Sequence, residues 1–327
     1  MNSIQYYKNK LLKGLLLFFF ILMFLFPYAS YKGARSGLML WFLNVLPTLL
    51  PFIIVSNLII KLNIASKISQ IIYPFIGRLF RVSRDGCYPI LIGFLSGLPM
   101  GAKTVADLAL DDKITNKEGN FLLSMCNNAS PIFIISYIAT NQLKMPSMRL
   151  PLFIIIYSSS IISAIIYRSY KNYCEKNKAR KHLADCQPIR IKSINLQSKF
   201  TFEDLDKSIM NGFEVITNIG GYIILFSILA QIINSVWQTN SLYKAVAMGI
   251  MEITTGINYI CHMRIDNNTK IVLVSIITAF GGLSGLAQTK SVLGESRLSI
   301  KSYISVKILS VCIAMLLSVF YVLIFVS

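Results

Sequence analysis

The sequence predicts an all-α, polytopic helical membrane protein, built of two repeats that each contain a broken or re-entrant helical hairpin. Three observations carry that prediction. Hydrophobic residues make up 54% of the 327 and charged residues 14%, against about 25% charged in soluble domains. Several apolar runs reach the roughly 20 residues a helix needs to cross a bilayer core. Within those runs lie short stretches that a simple crossing helix has no use for, among them GFLSGLPMGAK at 93–103 and CNNASPIF at 126–133.

The first apolar run, Leu11 to Tyr28, follows Lys8, Lys10 and Lys13. It lacks a small-residue cleavage site, so it reads as a retained transmembrane helix, not a signal peptide, in an amino-terminal unit of 1–36. Further spans are expected at 37–60, 120–140, 149–168, 211–237, 242–261 and 302–326, with less regular apolar stretches at 86–111 and 270–298. The stretch 64–80 mixes apolar positions with Lys67 and Arg78 and reads as an interfacial amphipathic helix.

The net charge of +18 would suggest nucleic acid in a soluble protein. Here ten lysines and arginines fall between Arg168 and Lys207, with no recognisable nucleic-acid module. The cytoplasmic bias of basic loops explains them, so 169–207 is expected to be a basic cytoplasmic loop. Cys174, His182 and Cys186 share that loop but lack a fourth ligand and zinc-site spacing. No metal and no cofactor is expected. The absence of a P-loop, a GxSxG and an HExxH motif argues against an enzyme.

The basic loop divides two halves, 37–168 and 208–327, that look like distant repeats. FLNVLPTLLPFIIVSNLII (42–60) aligns with GFEVITNIGGYIILFSILA (212–230), and FLSGL (94–98) with GLSGL (282–286). With the amino terminus in the cytoplasm the first pair would run in opposite directions, making the repeats inverted, as in many secondary transporters. Hairpins are then expected near 86–111 and near 270–298.

Irregular backbone at membrane depth is tolerated only where protein buries it or it lines a cavity. In SGLPMG, Pro99 removes a donor while Gly97 and Gly101 permit unusual dihedrals. A half-helix starting near Met100 would offer its amides to an anion. The candidate substrate-binding residues are therefore Ser96, Gly97, Pro99, Gly101 and Lys103, then Asn127, Asn128 and Ser130, then Ser284, Gln288 and Lys290. Ionisable and polar residues within spans mark ion or proton pathways, which nominates Glu214, Asn218, Glu252 and Thr255 for coupling. Plainer readings compete. Glycines permit close helix packing, Lys103 can snorkel, Glu214 can lie at the interface, and 107–113 reads as a solvated helix end.

The order SGLPMGAK, NNASPIFII, GIMEITTG, FGGLSGLAQ resembles the YlbJ-type sporulation integral membrane proteins of the nucleoside-recognition (Gate) domain family, similar to concentrative nucleoside transporters. The likeness covers about 35–326. It implies a role in endospore formation, in the outer forespore membrane, with movement of dipicolinic acid into the spore and a normal cortex. Besides the lipid bilayer, the implied partner is that small anion, with a second copy of the chain or another sporulation membrane complex also open. A nucleoside or ion as the solute, or a non-transporting scaffold needed for the cortex, are the alternatives. The second copy of the hairpin pattern has Ala287 where the first has proline, so its break would be softer.

Overall fold

The computed structural model describes residues 3–62, 64–179, 201–237, 239 and 241–325, and among these every regular element is helical. The middle of the basic loop, with His182 and Cys186, lies outside the described residues. α1 (Ser3–Leu25) stops before Pro27, which opens α2 (Pro27–Leu40). Proline cannot donate to the preceding turn but suits a helix start. The chain accordingly bends by 106° there, so the helix expected over the run Leu11 to Tyr28 breaks at Phe26. A π-helical turn, Trp41–Val45, leads from α2 into α3 (Leu46–Lys61). α4 (Ile64–Phe80) lies at 92° to α3. It buries Ala65, Ser69 and Gly77 and exposes Ile71, Phe75 and Leu79 at 76%, 79% and 73%. An exposed apolar stripe flanked by Lys67 and Arg78 suits a helix lying along a bilayer surface.

The remaining elements are α5 (Cys87–Ser96), α6 (Met100–Leu110), α7 (Asn116–Cys126), a π-helical run Phe133–Gln142, α8 (Arg149–Ala179), α9 (Phe202–Val236), α10 (Leu242–Met251), α11 (Ile253–His262), α12 (Asn267–Phe280), α13 (Gly282–Leu293) and α14 (Ile300–Phe325). Among the described residues four stretches are long and apolar enough to cross a bilayer: 146–174, α9, α12 with α13, and α14. The two bent pairs at the amino-terminal end would raise that to six.

Polar contacts fix the ends of these helices to two faces. On the first, Arg168 donates to Phe80 O at 2.7 Å and Arg81 O at 2.9 Å, Lys61 pairs with Asp204, and Ser299 N donates to Asn120 Oδ1 at 2.7 Å. On the second, Asn258 Nδ2 donates to Gln142 Oε1 at 3.1 Å and Lys244 Nζ to Trp237 O at 2.7 Å. α5 and α6 form a hairpin open to the first face, where Glu118 at the start of α7 accepts from Ser83 N just before α5, at 2.6 Å. α10 and α11 form a second hairpin open to the other face, closed by Lys244 over the Tyr259 ring at 5.1 Å.

This arrangement corrects four sequence expectations. Residues 242–261 are not one crossing span, because Glu252 ends α10 and caps α11. Residues 270–298 do not fold back as a hairpin; α12 and α13 continue as a 27-residue path broken at Gly281. Consequently FLSGL ends a helix at a hairpin tip while GLSGL begins one, so that pair is not equivalent. The span expected at 120–140 likewise breaks, between Cys126 and Pro131, because Pro131 has no N–H to continue α7.

Candidate functional site: a cavity among four helix breaks

Each break has a local cause. At the first, Gly97 adopts φ +78°, and an added Cβ would stand 2.6 Å from Ser130 N. Only glycine supplies that conformation and that approach cheaply. Leu98 N donates to Asn128 O at 2.6 Å, joining the hairpin tip to the second break. Tyr157 of α8 clamps the same pair, donating to Phe94 O at 3.0 Å and Ala129 O at 3.1 Å. At the third, the Glu252 carboxylate accepts from Thr254 N at 3.1 Å, Thr255 N at 2.7 Å and Thr255 Oγ1 at 2.8 Å, and also from Thr254 Oγ1. A carboxylate on the positive end of a helix is favourable, which is how an acid only 2% exposed is accommodated. At the fourth, Gly281 is left-handed at φ +82°, and the amino end of α13 carries no side-chain cap.

The four breaks line one cavity of about 320 Å³, within the range of small-molecule pockets, about 300–1,000 Å³. Ser96 and Leu98 come from the first break, Ala129 and Ser130 from the second, Glu252 and Thr254 from the third, and Gly281, Ser284 and Gln288 from the fourth. Leu95, Phe133 and Phe52 supply apolar wall, and Tyr137 and Asn141 further polar groups. Gln288 Nε2 donates to Ser284 Oγ at 3.0 Å. Ser96 Oγ is buried without a hydrogen-bond partner.

Of the residues nominated from sequence, Ser96, Ser130, Ser284, Gln288 and Glu252 meet at this cavity. Gly97, Pro99 and Gly101 shape the hairpin behind it. Lys103 is buried on α6 and paired with Asp107 at 2.7 Å. Asn127 donates to Thr289 Oγ1 at 2.7 Å and Tyr303 OH at 2.9 Å. Asn128 Nδ2 donates to Met125 O at 2.7 Å, and its Oδ1 accepts from Lys307 at 3.0 Å. Lys290 is exposed near the far end of α13, Glu214 and Asn218 are exposed on α9, and Thr255 donates to the Glu252 cap from the first turn of α11. Sequence reading missed Tyr137, Tyr157 and Lys307. Lys307 carried a usable signal, since no other lysine, arginine, aspartate or glutamate falls within the apolar run 302–326.

One curated protein that this chain matches is the sporulation integral membrane protein YlbJ of Bacillus subtilis (strain 168), 27% identical over 306 residues, which cover 86% of this chain and 75% of that one. The chain is YlbJ-like. No family model matches it, and no solved structure does. The stretch shared with YlbJ is long enough to take in most of the helices that build the cavity. The YlbJ-like chain is an integral membrane protein whose polar backbone breaks are gathered from both halves into one place.

Proposed function

We propose that the chain is a carrier that moves a small anionic solute, dipicolinic acid first among the candidates, from mother cell to forespore across the outer forespore membrane. The observation that carries this reading is the convergence of four helix breaks, two from each half, on one cavity. Broken half-helices around a central site are how secondary transporters bind solutes. The entry of the two hairpins from opposite faces supports reading the halves as inverted repeats, with the second hairpin at 242–262. The uncapped amino end of α13 and the free Ser96 hydroxyl offer donors to a carboxylate, and Leu95 and Phe133 offer apolar surface to a flat ring. The similarity to YlbJ supports the sporulation setting.

A second reading has its own observation. Glu252 lines the cavity and, among the described residues, no lysine or arginine does, which favours a neutral hydrogen-bonding solute such as a nucleoside. Purified protein in lipid vesicles, offered radiolabelled dipicolinate and uridine separately, decides between them. Uptake of dipicolinate over empty vesicles is the expected result; uptake of uridine alone would install the second reading. Ser284→Phe fills the cavity from α13, and uptake of whichever solute moves is expected to fall at least tenfold, with the protein still monodisperse. Undiminished uptake by Ser284→Phe would place the solute path elsewhere.

A further inference from the structure

Lys307 sits on α14 with 3% of its surface exposed. An ammonium has three donors; this one has a single hydrogen-bond acceptor, Asn128 Oδ1 at 3.0 Å, and the Tyr303 ring 5.6 Å away. Among the described residues no ion pair includes it. The elements packed on α14 bring no carboxylate to this depth. α7 ends in the Cys126 thiol and the two asparagines, α8 contributes Tyr157 with Ser159, Ser160 and Ser163, and α12 contributes Ser275 and Thr278. On α14 itself the nearest titratable group is Tyr303, whose hydroxyl donates to Asn127 O at 3.3 Å and accepts from Asn127 Nδ2 at 2.9 Å.

A permanently charged ammonium with one neutral acceptor is poorly housed in such a place. An amine that gains and loses a proton is not, and ionisable groups inside membranes serve as proton relays. The lone acceptor is what ties the proton to the solute. Asn128 belongs to the second break, and the next two residues, Ala129 and Ser130, line the cavity. Asn128 O also holds the tip of the first hairpin through Leu98 N. Whether Lys307 is charged therefore bears on a backbone segment that forms the cavity wall and one hairpin contact.

We propose that Lys307 binds and releases the proton whose movement is coupled to that of the solute. The amine lone pair takes a proton from hydronium, forming one N–H bond as one O–H bond breaks and water is left; release to water breaks that N–H bond and re-forms the O–H bond of hydronium. This inference rests on the carrier reading above. In vesicles holding the full chain, an imposed pH gradient is expected to drive radiolabelled dipicolinate or uridine above its external concentration, with a matching change of lumen pH. Lys307→Met and Lys307→Arg are expected to lose that accumulation, Arg because its guanidinium keeps its proton, and their residual exchange to be flat with pH. Should both variants fail to stay monodisperse, Asn128→Asp replaces them. Its carboxylate pins the charge on Lys307, and loss of gradient-driven accumulation is again expected. Wild-type transport that ignores the gradient, or variants still driven by it, would overturn the role of Lys307 and leave the carrier reading standing. Wild-type vesicles that move neither solute would sink the carrier reading and this inference with it.

Discussion

Gly101→Ala is expected to lower stability by about 3 kcal/mol, at the upper end of overpacking costs. A Cβ on Gly101 would run into Cys126 O, and a Cβ on Gly93 would run into the same atom. Two hairpin arms and α7 thus meet at one backbone carbonyl, which cannot swing aside as a side chain can. Gly221→Ala is the control, since nothing lies within 4 Å of its added methyl group, and alanine there should gain about 0.5–1 kcal/mol from helix propensity. Thermal unfolding in detergent compares the two. Equal midpoints for Gly101→Ala and Gly221→Ala would mean that the hairpin does not pack on α7 as described.

Glu252→Ala is expected to cost about 2–4 kcal/mol. The carboxylate caps α11, a contribution of about 1 kcal/mol. It is also the acceptor for the hydroxyls of Thr254 and Thr255, and a buried donor left without a partner costs about 1–3 kcal/mol. Glu252→Gln keeps the shape and one acceptor oxygen and should fall between alanine and wild type. The same unfolding assay, with limited proteolysis across 249–256, reads the effect. A Glu252→Ala protein that melts with the wild type would remove the capping role.

The all-helical class was legible from composition, and the breaks from glycine, proline and asparagine inside apolar runs. Those signals are local: Pro99, Gly97, Pro131 and the Gly281–Gly282 pair disrupt a helix wherever it goes. What a local signal does not carry is the direction the chain takes afterwards. SGLPMG reverses the chain while FGGLSG lets it continue, although both read as flexible turns in an apolar setting. At GIMEITTG no proline marks the reversal, and the glycines at 249 and 256 act by letting the two arms of the hairpin touch. Glu252 reads as a lone acid in a span until its role as a cap is seen. Lys103 looked like the cation of the site because it follows the first break; one helical turn on, Asp107 claims it. Lys307 acquires its meaning from Asn128, 179 residues away in sequence, and proximity over that distance is a property of the fold alone.

The contact between α2 and α9 has a consequence for how the chain is made. Gly33 and Gly37 present bare backbone to α9, with Ile228 and Ile224 pressed against them. Their partner is translated about 190 residues later, which at about 5–20 residues per second takes roughly 10–40 s. For that interval the small-residue face of α2 stands in lipid without its mate, in a bilayer where such faces associate readily. Slowing elongation between the two halves lengthens that wait in proportion.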